Sequence, residues 1–351
     1  MKALVVWGLA TSGLLALAGP GLSSLGSSQG VLAKRAADLP RAEEGAWTGW
    51  TEEAGLPDEL VAGYTRALEA WRARDFPGVL DSTWPLLEST PDHPALLHLA
   101  GHAQFRLRRY GECAALLARL VDHVPGQVGR TRHLAHAWNE LGQVDRALVH
   151  YDRVLQAAPG DHEARRGRAL ARWRLGAVGA ALRDLGEVLA ARPEHAEAWL
   201  LRARILVDQE DAEQALLALA QHRALDPDEP EAAFLEARAL LDLGRSEEAA
   251  GARARFEALE AVAAAARPLE GNLLLRPWDL GLHRALAEVR LGAGQEQRAR
   301  SALIGLARAA RLGLTADPAA APQVQASITA HLQWAEARLG ELDGAAPREA
   351  R

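Results

Sequence analysis

Small and bulky apolar residues recur along this chain in a strict 34-residue frame. A compact residue stands at Ala67, Gly101, Ala135, Ala169, Ala203 and Ala237. Twelve residues after each comes a second, at Val79, Cys113, Ala147, Ala181, Ala215 and Ala249. Seven further on lies a large apolar position, occupied by Leu86, Leu120, Val154 and Val188, and then by His222 and Phe256. Pro57, Pro91, Pro125, Pro159, Pro193 and Pro227 close successive periods without a slip. The pattern predicts a helical hairpin per period. Small residues let one helix approach the next closely, large residues fill the gap, and the proline stops the second helix.

The clearest copy runs Leu134-Ala135-x2-Trp138, Leu141-Gly142 at the turn, Ala147-x3-Tyr151 and Pro159. Another runs Trp199-x3-Ala203-x2-Leu206, Ala215-x3-Leu219 and Pro227. Both resemble the tetratricopeptide repeat, a 34-residue helix–turn–helix family. The resemblance implies an all-α, right-handed α-solenoid of tetratricopeptide-type helix-turn-helix repeats, with six copies over residues 60–263. Turn glycines stand at Gly142, Gly176 and Gly244, whereas Arg74, Arg108 and Glu210 replace them elsewhere. Those three turns are expected to be longer or less tight.

After Glu260 the frame breaks. Residues 264–279, with Pro268 and Pro277, read as an irregular insertion. The pattern resumes out of phase at 280–313, where Ala287, Gly294 and Ala299 mark a degenerate seventh repeat. Residues 319–342 carry Val324, Ile328, Leu332 and Ala335 on one stripe and read as a capping helix, which a solenoid needs to cover its last apolar face. Residues 343–351 form a tail.

At the other end, Met1-Lys2 precedes an apolar run that finishes in Ala16-Leu17-Ala18. This reads as a signal peptide over residues 1–18 with cleavage after Ala18, or, uncleaved, as a membrane anchor. Residues 19–59 are rich in Gly, Ser, Ala and charge and read as a linker. Trp47 and Trp50 interrupt it, which fits an end that folds back over an apolar face. The chain is therefore expected to be exported, periplasmic or secreted, with membrane contact only through an uncleaved N-terminus.

Composition narrows the chemistry. Among 351 residues, 40 Lys+Arg stand against 46 Asp+Glu, so the net charge of −6 gives no general attraction to nucleic acid. All the cations but Lys2 and Lys34 are arginine. The single Cys113 excludes an intramolecular disulfide and reads as a buried structural thiol. No phosphate-binding glycine loop, G-x-S-x-G elbow or H-E-x-x-H motif is present, so neither a catalytic residue nor a cofactor is assigned.

In the resembled family the first helix of each repeat lines the concave surface. Helical spacing then puts His98, His102, Phe105, Arg106, Arg132, His136, Asn139, Arg166, Trp173, Arg174 and Arg204 in the groove. Arginine recognises carboxylates through its planar fork, and aromatic rings supply rigid apolar contact. His98, His102, His133 and His136 form an imidazole group of a kind that zinc or copper accepts, yet no cysteine or carboxylate spacing reinforces it and no metal is assigned. The clamp by which some family members hold a C-terminal carboxylate is matched only in part, by His98-x3-His102, Arg132-x3-His136 and Arg166-x3-Leu170 without its asparagines.

These features point to a non-enzymatic scaffold of the periplasm or cell envelope that holds a protein or peptide partner, an acidic or C-terminal segment, in its concave groove. The alternative is an accessory assembly subunit of an envelope polysaccharide or secretion machine acting through its convex face. The export reading predicts a mature N-terminus at Gly19. Intact-mass spectrometry of native protein checks it, and a full-length mass in the membrane fraction would make the segment an anchor.

Overall fold

The computed structural model describes residues 58–124, 128–316 and 320–345. The signal at 1–18, the linker up to residue 57 and residues 346–351 of the tail lie outside them. The described residues form fifteen helices and no strand. Six hairpins follow one another: α1 (Asp58–Arg72) with α2 (Phe76–Ser89), α3 (Pro94–Arg106) with α4 (Tyr110–His123), and α5 (Val128–Glu140) with α6 (Val144–Ala157). Next come α7 (His162–Arg174) with α8 (Val178–Ala191), α9 (Ala196–Asp208) with α10 (Ala212–Leu225), and α11 (Pro230–Asp242) with α12 (Ser246–Leu275). A seventh pair, α13 (Leu280–Gly292) and α14 (Glu296–Ala316), is followed by α15 (Pro322–Ala345).

One turn closes every hairpin. The amide of Gly142 donates to the Asn139 carbonyl at 3.1 Å, and that of Gln143 donates to the Trp138 carbonyl at 2.9 Å. The same pair of bonds recurs at residues 74, 108, 176, 210, 244 and 294, capping the last carbonyls of each first helix. It requires a left-handed residue, which Gly142, Gly176, Gly244 and Gly294 supply at φ of 71–77°. The expectation of longer turns at Arg74, Arg108 and Glu210 is corrected here. These residues take φ of 60°, 57° and 60° and close the turn in the same way. The two hydrogen bonds and the packing of the helices behind them hold each one against a left-handed penalty of about 1 kcal/mol.

Prolines end the second helices through the residue before them. Thr90, Ala158, Arg192 and Asp226 precede proline and leave the helical region, with φ between −132° and −138°, because proline disfavours helical backbone one residue upstream. At the interface between helices, Ala67, Ala135, Ala169 and Ala203 are wholly buried. Gly167 is closer still, since a Cβ there would stand 2.4 Å from the Tyr151 ring. His222 occupies the large apolar position of the fifth hairpin, buried, with its Nδ1 3.0 Å from the Ala196 carbonyl. Successive first helices touch one another from α1 to α11, and each second helix packs on the following first helix. The first helices therefore line the inner, concave side.

The irregular insertion expected at 264–279 is also corrected. The 30-residue helix α12 runs straight through Pro268 to Leu275, 16 residues beyond the 14-residue length of α10. Gly294 lies 50 residues after Gly244, later than the 34-residue frame by those same 16. A proline inside a helix costs about 3 kcal/mol. Burial offsets it: Ala266, Leu269 and Leu273 lie on one face of α12 and pack with Leu286, Leu303, Leu306 and Ala335 from α13, α14 and α15. The same proline device ends the helix late, at Arg276 before Pro277 (φ −133°). Arg298 of α14 reaches back to Asp226 (2.9 Å) and Glu229 (3.1 Å), and α12 touches α2, so the coil of hairpins returns towards its own start.

The strain at Arg108 and Glu210 is measurable. Replacing both with glycine removes two left-handed side chains and should stabilise the protein by about 1–2 kcal/mol in all. A melting temperature that rises by a few degrees is the expected result. An unchanged or lower value would mean that the turns carry no strain.

Candidate functional site

The inner faces of the first three hairpins carry a continuous stack of rings. Trp71, near the end of α1, lies 4.6 Å from the His102 ring, and His102 lies 4.6 Å from His133 of α5. His133 in turn stacks on Phe105 at 4.6 Å and 27°. Phe105 meets His136 edge-on at 5.3 Å, and Tyr110 stands at 5.8 Å from the same imidazole. All these side chains are half-buried, so the stack is both packed and open to the groove. Each ring pair contributes about 0.5–1.5 kcal/mol beyond the area it buries. The regular spacing of α1, α3 and α5 by one hairpin is what brings the rings into line.

Arginine surrounds the stack. Arg130 Nε donates to His98 Nδ1 at 2.7 Å, which leaves the His98 proton on Nε2. Arg106 is exposed, with its guanidinium 5.2 Å over the Phe76 ring. This setting disfavours any further positive charge. Burial, then Arg130 and its neighbouring imidazoles, holds His98 well below the ordinary histidine range. Burial, then Arg106, Arg130 and Arg132, lowers His102 to about 4. Burial, then His102, Arg132, His136 and Arg106, holds His133 well below the ordinary histidine range too. His136 is lowered by burial as well, although Glu140 and Glu163 pull it back up. The imidazoles act as neutral aromatic rings. Among the described residues no three His, Cys, Asp or Glu side chains are arranged to hold a metal ion.

Further along, the sequence-predicted residues divide. Arg132 donates to Asp161 at 2.7 Å, the carboxylate that also caps the first amides of α7. Arg166 pairs with Glu163 of its own helix at 3.1 Å. Arg174 donates to the Asn139 carbonyl and lies 3.9 Å from Glu140, whereas Arg204 pairs with Glu231 and lies 5.9 Å over the Trp173 ring. The basic lining expected over the third to fifth hairpins is thus largely compensated by its own carboxylates. Asn139 needs correction: its side chain is wholly buried beneath the groove surface and lines nothing. Tyr110 and Arg130 were missed, because Tyr110 starts a second helix and Arg130 falls off the three-to-four-residue stripe. Cys113 is wholly buried among apolar side chains, and burial pushes its thiol up to about 12.

Family models described as "Tetratricopeptide repeat" match residues 98–162, 134–187 and 172–238. Residues 98–238 are thus similar to tetratricopeptide repeats. Among solved structures, "MamA 41-end from Desulfovibrio magneticus RS-1" is 21% identical with a TM-score of 0.44, covering 48% of this chain and 95% of that one. "MamA AMB-1 P212121" is 22% identical with a TM-score of 0.42, covering 46% of this chain and 95% of that one. No relative among curated proteins matches the chain.

The depressed imidazoles tie stability of the first three hairpins to pH. In the unfolded chain these histidines titrate near 6.5, and in the folded chain they titrate lower. The unfolded state therefore binds more protons in between, so their contribution is complete above about pH 7 and is lost progressively towards pH 4. Thermal melts should fall steadily over that window. His102→Phe with His133→Phe keeps rings in the stack and should flatten the fall; an identical pH profile in the double variant would assign the loss to other groups.

Proposed function

We propose that this chain is a protein-interaction scaffold whose concave groove holds an extended segment of a partner, centred on the ring stack of the first three hairpins. The observation that carries the reading is the combination on one surface. Half-exposed rings run from Trp71 to Tyr110 without a break, and α3, the turn after it and α5 supply arginine with no Asp or Glu of their own before Glu140. Tetratricopeptide repeats are an interaction fold, and fold alone does not name a partner. The chemistry of the groove favours an acidic or C-terminal segment with an apolar anchor. The apolar N-terminal run supports placing the protein outside the cytoplasm, in the periplasm or envelope. Among the described residues no helix is long and apolar enough to cross a membrane.

Arg106 stands beside the ring stack and Phe105 within it, so these two residues probe charge and apolar contact there. With a partner segment captured from the native envelope, Phe105→Ala should weaken binding about tenfold at every salt concentration, as loss of a buried anchor does. Arg106→Ala should weaken it mainly at low salt and flatten the salt dependence. An affinity indifferent to both changes would move recognition to the convex face, the setting of an accessory assembly subunit.

A further inference from the structure

We propose that residues 42–56 of this chain dock intramolecularly in the ring-lined groove, as a built-in competitor for its partner. The proposal rests on the reading of that groove as the binding face. Its first support is charge. The helices α3 and α5, with the turn after α3, carry Arg106, Arg108, Arg109 and Arg130, besides the Asp161-paired Arg132, and no Asp or Glu before Glu140. Residues 42–56 carry Glu43, Glu44, Glu52 and Glu53 and no Lys or Arg. Their second support is shape chemistry. Trp47 and Trp50 are the aromatic anchors that a stack of neutral rings accepts, and they stand between the two glutamate pairs.

Reach supplies the third. Trp50 precedes Asp58, the first residue of α1, by eight residues, a span of up to about 26 Å when extended. Trp71 lies about 20 Å along α1 from the same point at 1.5 Å per residue. A segment running antiparallel to α1 therefore brings Trp50 beside Trp71 and His102, past the exposed Val61 on the same helical stripe. Trp47, about 10 Å further along the chain, reaches Phe105 and His133 where the segment turns across α3 at the end of α1. Docking within the same chain benefits from a high effective concentration, so an outside partner of similar chemistry must displace the segment.

A fluorescently labelled synthetic peptide of residues 42–56, titrated against the full chain, tests this by anisotropy. The peptide should bind the Trp47→Ala, Trp50→Ala chain about tenfold or more tighter than the wild type, whose groove is occupied. Arg106→Glu in that variant should weaken the peptide, and raised salt should do the same. Equal affinity for wild type and variant overturns the proposal. So does a wild-type chain that dimerises with concentration in sedimentation while the tryptophan variant stays monomeric, because the segment then sits in a second copy. A control peptide, one tryptophan flanked by three glutamates on each side, separates the two readings. If it binds and loses affinity on Arg106→Glu while residues 42–56 do not bind, the groove reading stands and self-docking falls. If neither peptide binds, both fall.

Discussion

The left-handed residue at each hairpin turn is the constraint on which the rest of this molecule hangs. It lets two amides cap a first helix and redirect the chain within three residues, so each second helix comes back alongside at a fixed distance. Because the turn is repeated in one frame, successive first helices fall side by side and their exposed stripes merge into a single surface. The surface is a consequence of the turn, and the ring stack is a consequence of the surface. That dependence explains why Arg74, Arg108 and Glu210 are tolerated in left-handed backbone: relaxing any one of them would rotate a helix out of the row, and at Arg74 or Arg108 it would separate rings that now stand within 5 Å.

Much of this was legible in the sequence. The proline and small-residue spacing assigned the hairpins over 60–263, because both act locally: proline on the residue before it, and alanine on the helix opposite. What periodicity could not reach were outcomes of competition. Pro268 looked like a boundary, and in isolation it would be one. The burial of Ala266, Leu269 and Leu273 against the last three helices outweighs its local cost, and that burial depends on residues from Leu286 to Ala335. Arg108 looked like a loose turn for the same reason, since its penalty is local and its compensation is tertiary. The sixteen residues by which α12 overruns its frame become visible as four and a half extra helical turns only when the helix is seen whole.

The groove shows a similar division. Helical spacing put ten of the eleven candidate residues on or beside the inner face, and it failed at Asn139, which lies on the stripe but is buried beneath it. It could not foresee pairing. Asp161 is a helix cap by position, and nothing local marks it as the partner of Arg132 one hairpin away. Such inter-hairpin pairs are partly exposed and contribute little stability, on the order of 0.2–1 kcal/mol each. Their effect is to cancel the field of the middle of the groove.

The result is a groove graded along its length. From Arg132 onwards the inward arginines Arg132, Arg166, Arg204 and Arg238 each meet a carboxylate, so an incoming anion gains little there. Over the first three hairpins histidine stands where a further arginine or lysine would repel its neighbours, and burial keeps it uncharged. A neutral imidazole preserves the flat, polarisable surface of an aromatic ring while leaving Arg106 and Arg130 as the local charges. Adding cations would raise the field but would also drive apart the helices that present it. Substituting phenylalanine throughout would deepen the apolar surface and lose the hydrogen bond that orients Arg130. Histidine reconciles close packing with a basic, aromatic surface, and it does so only while the first helices remain side by side.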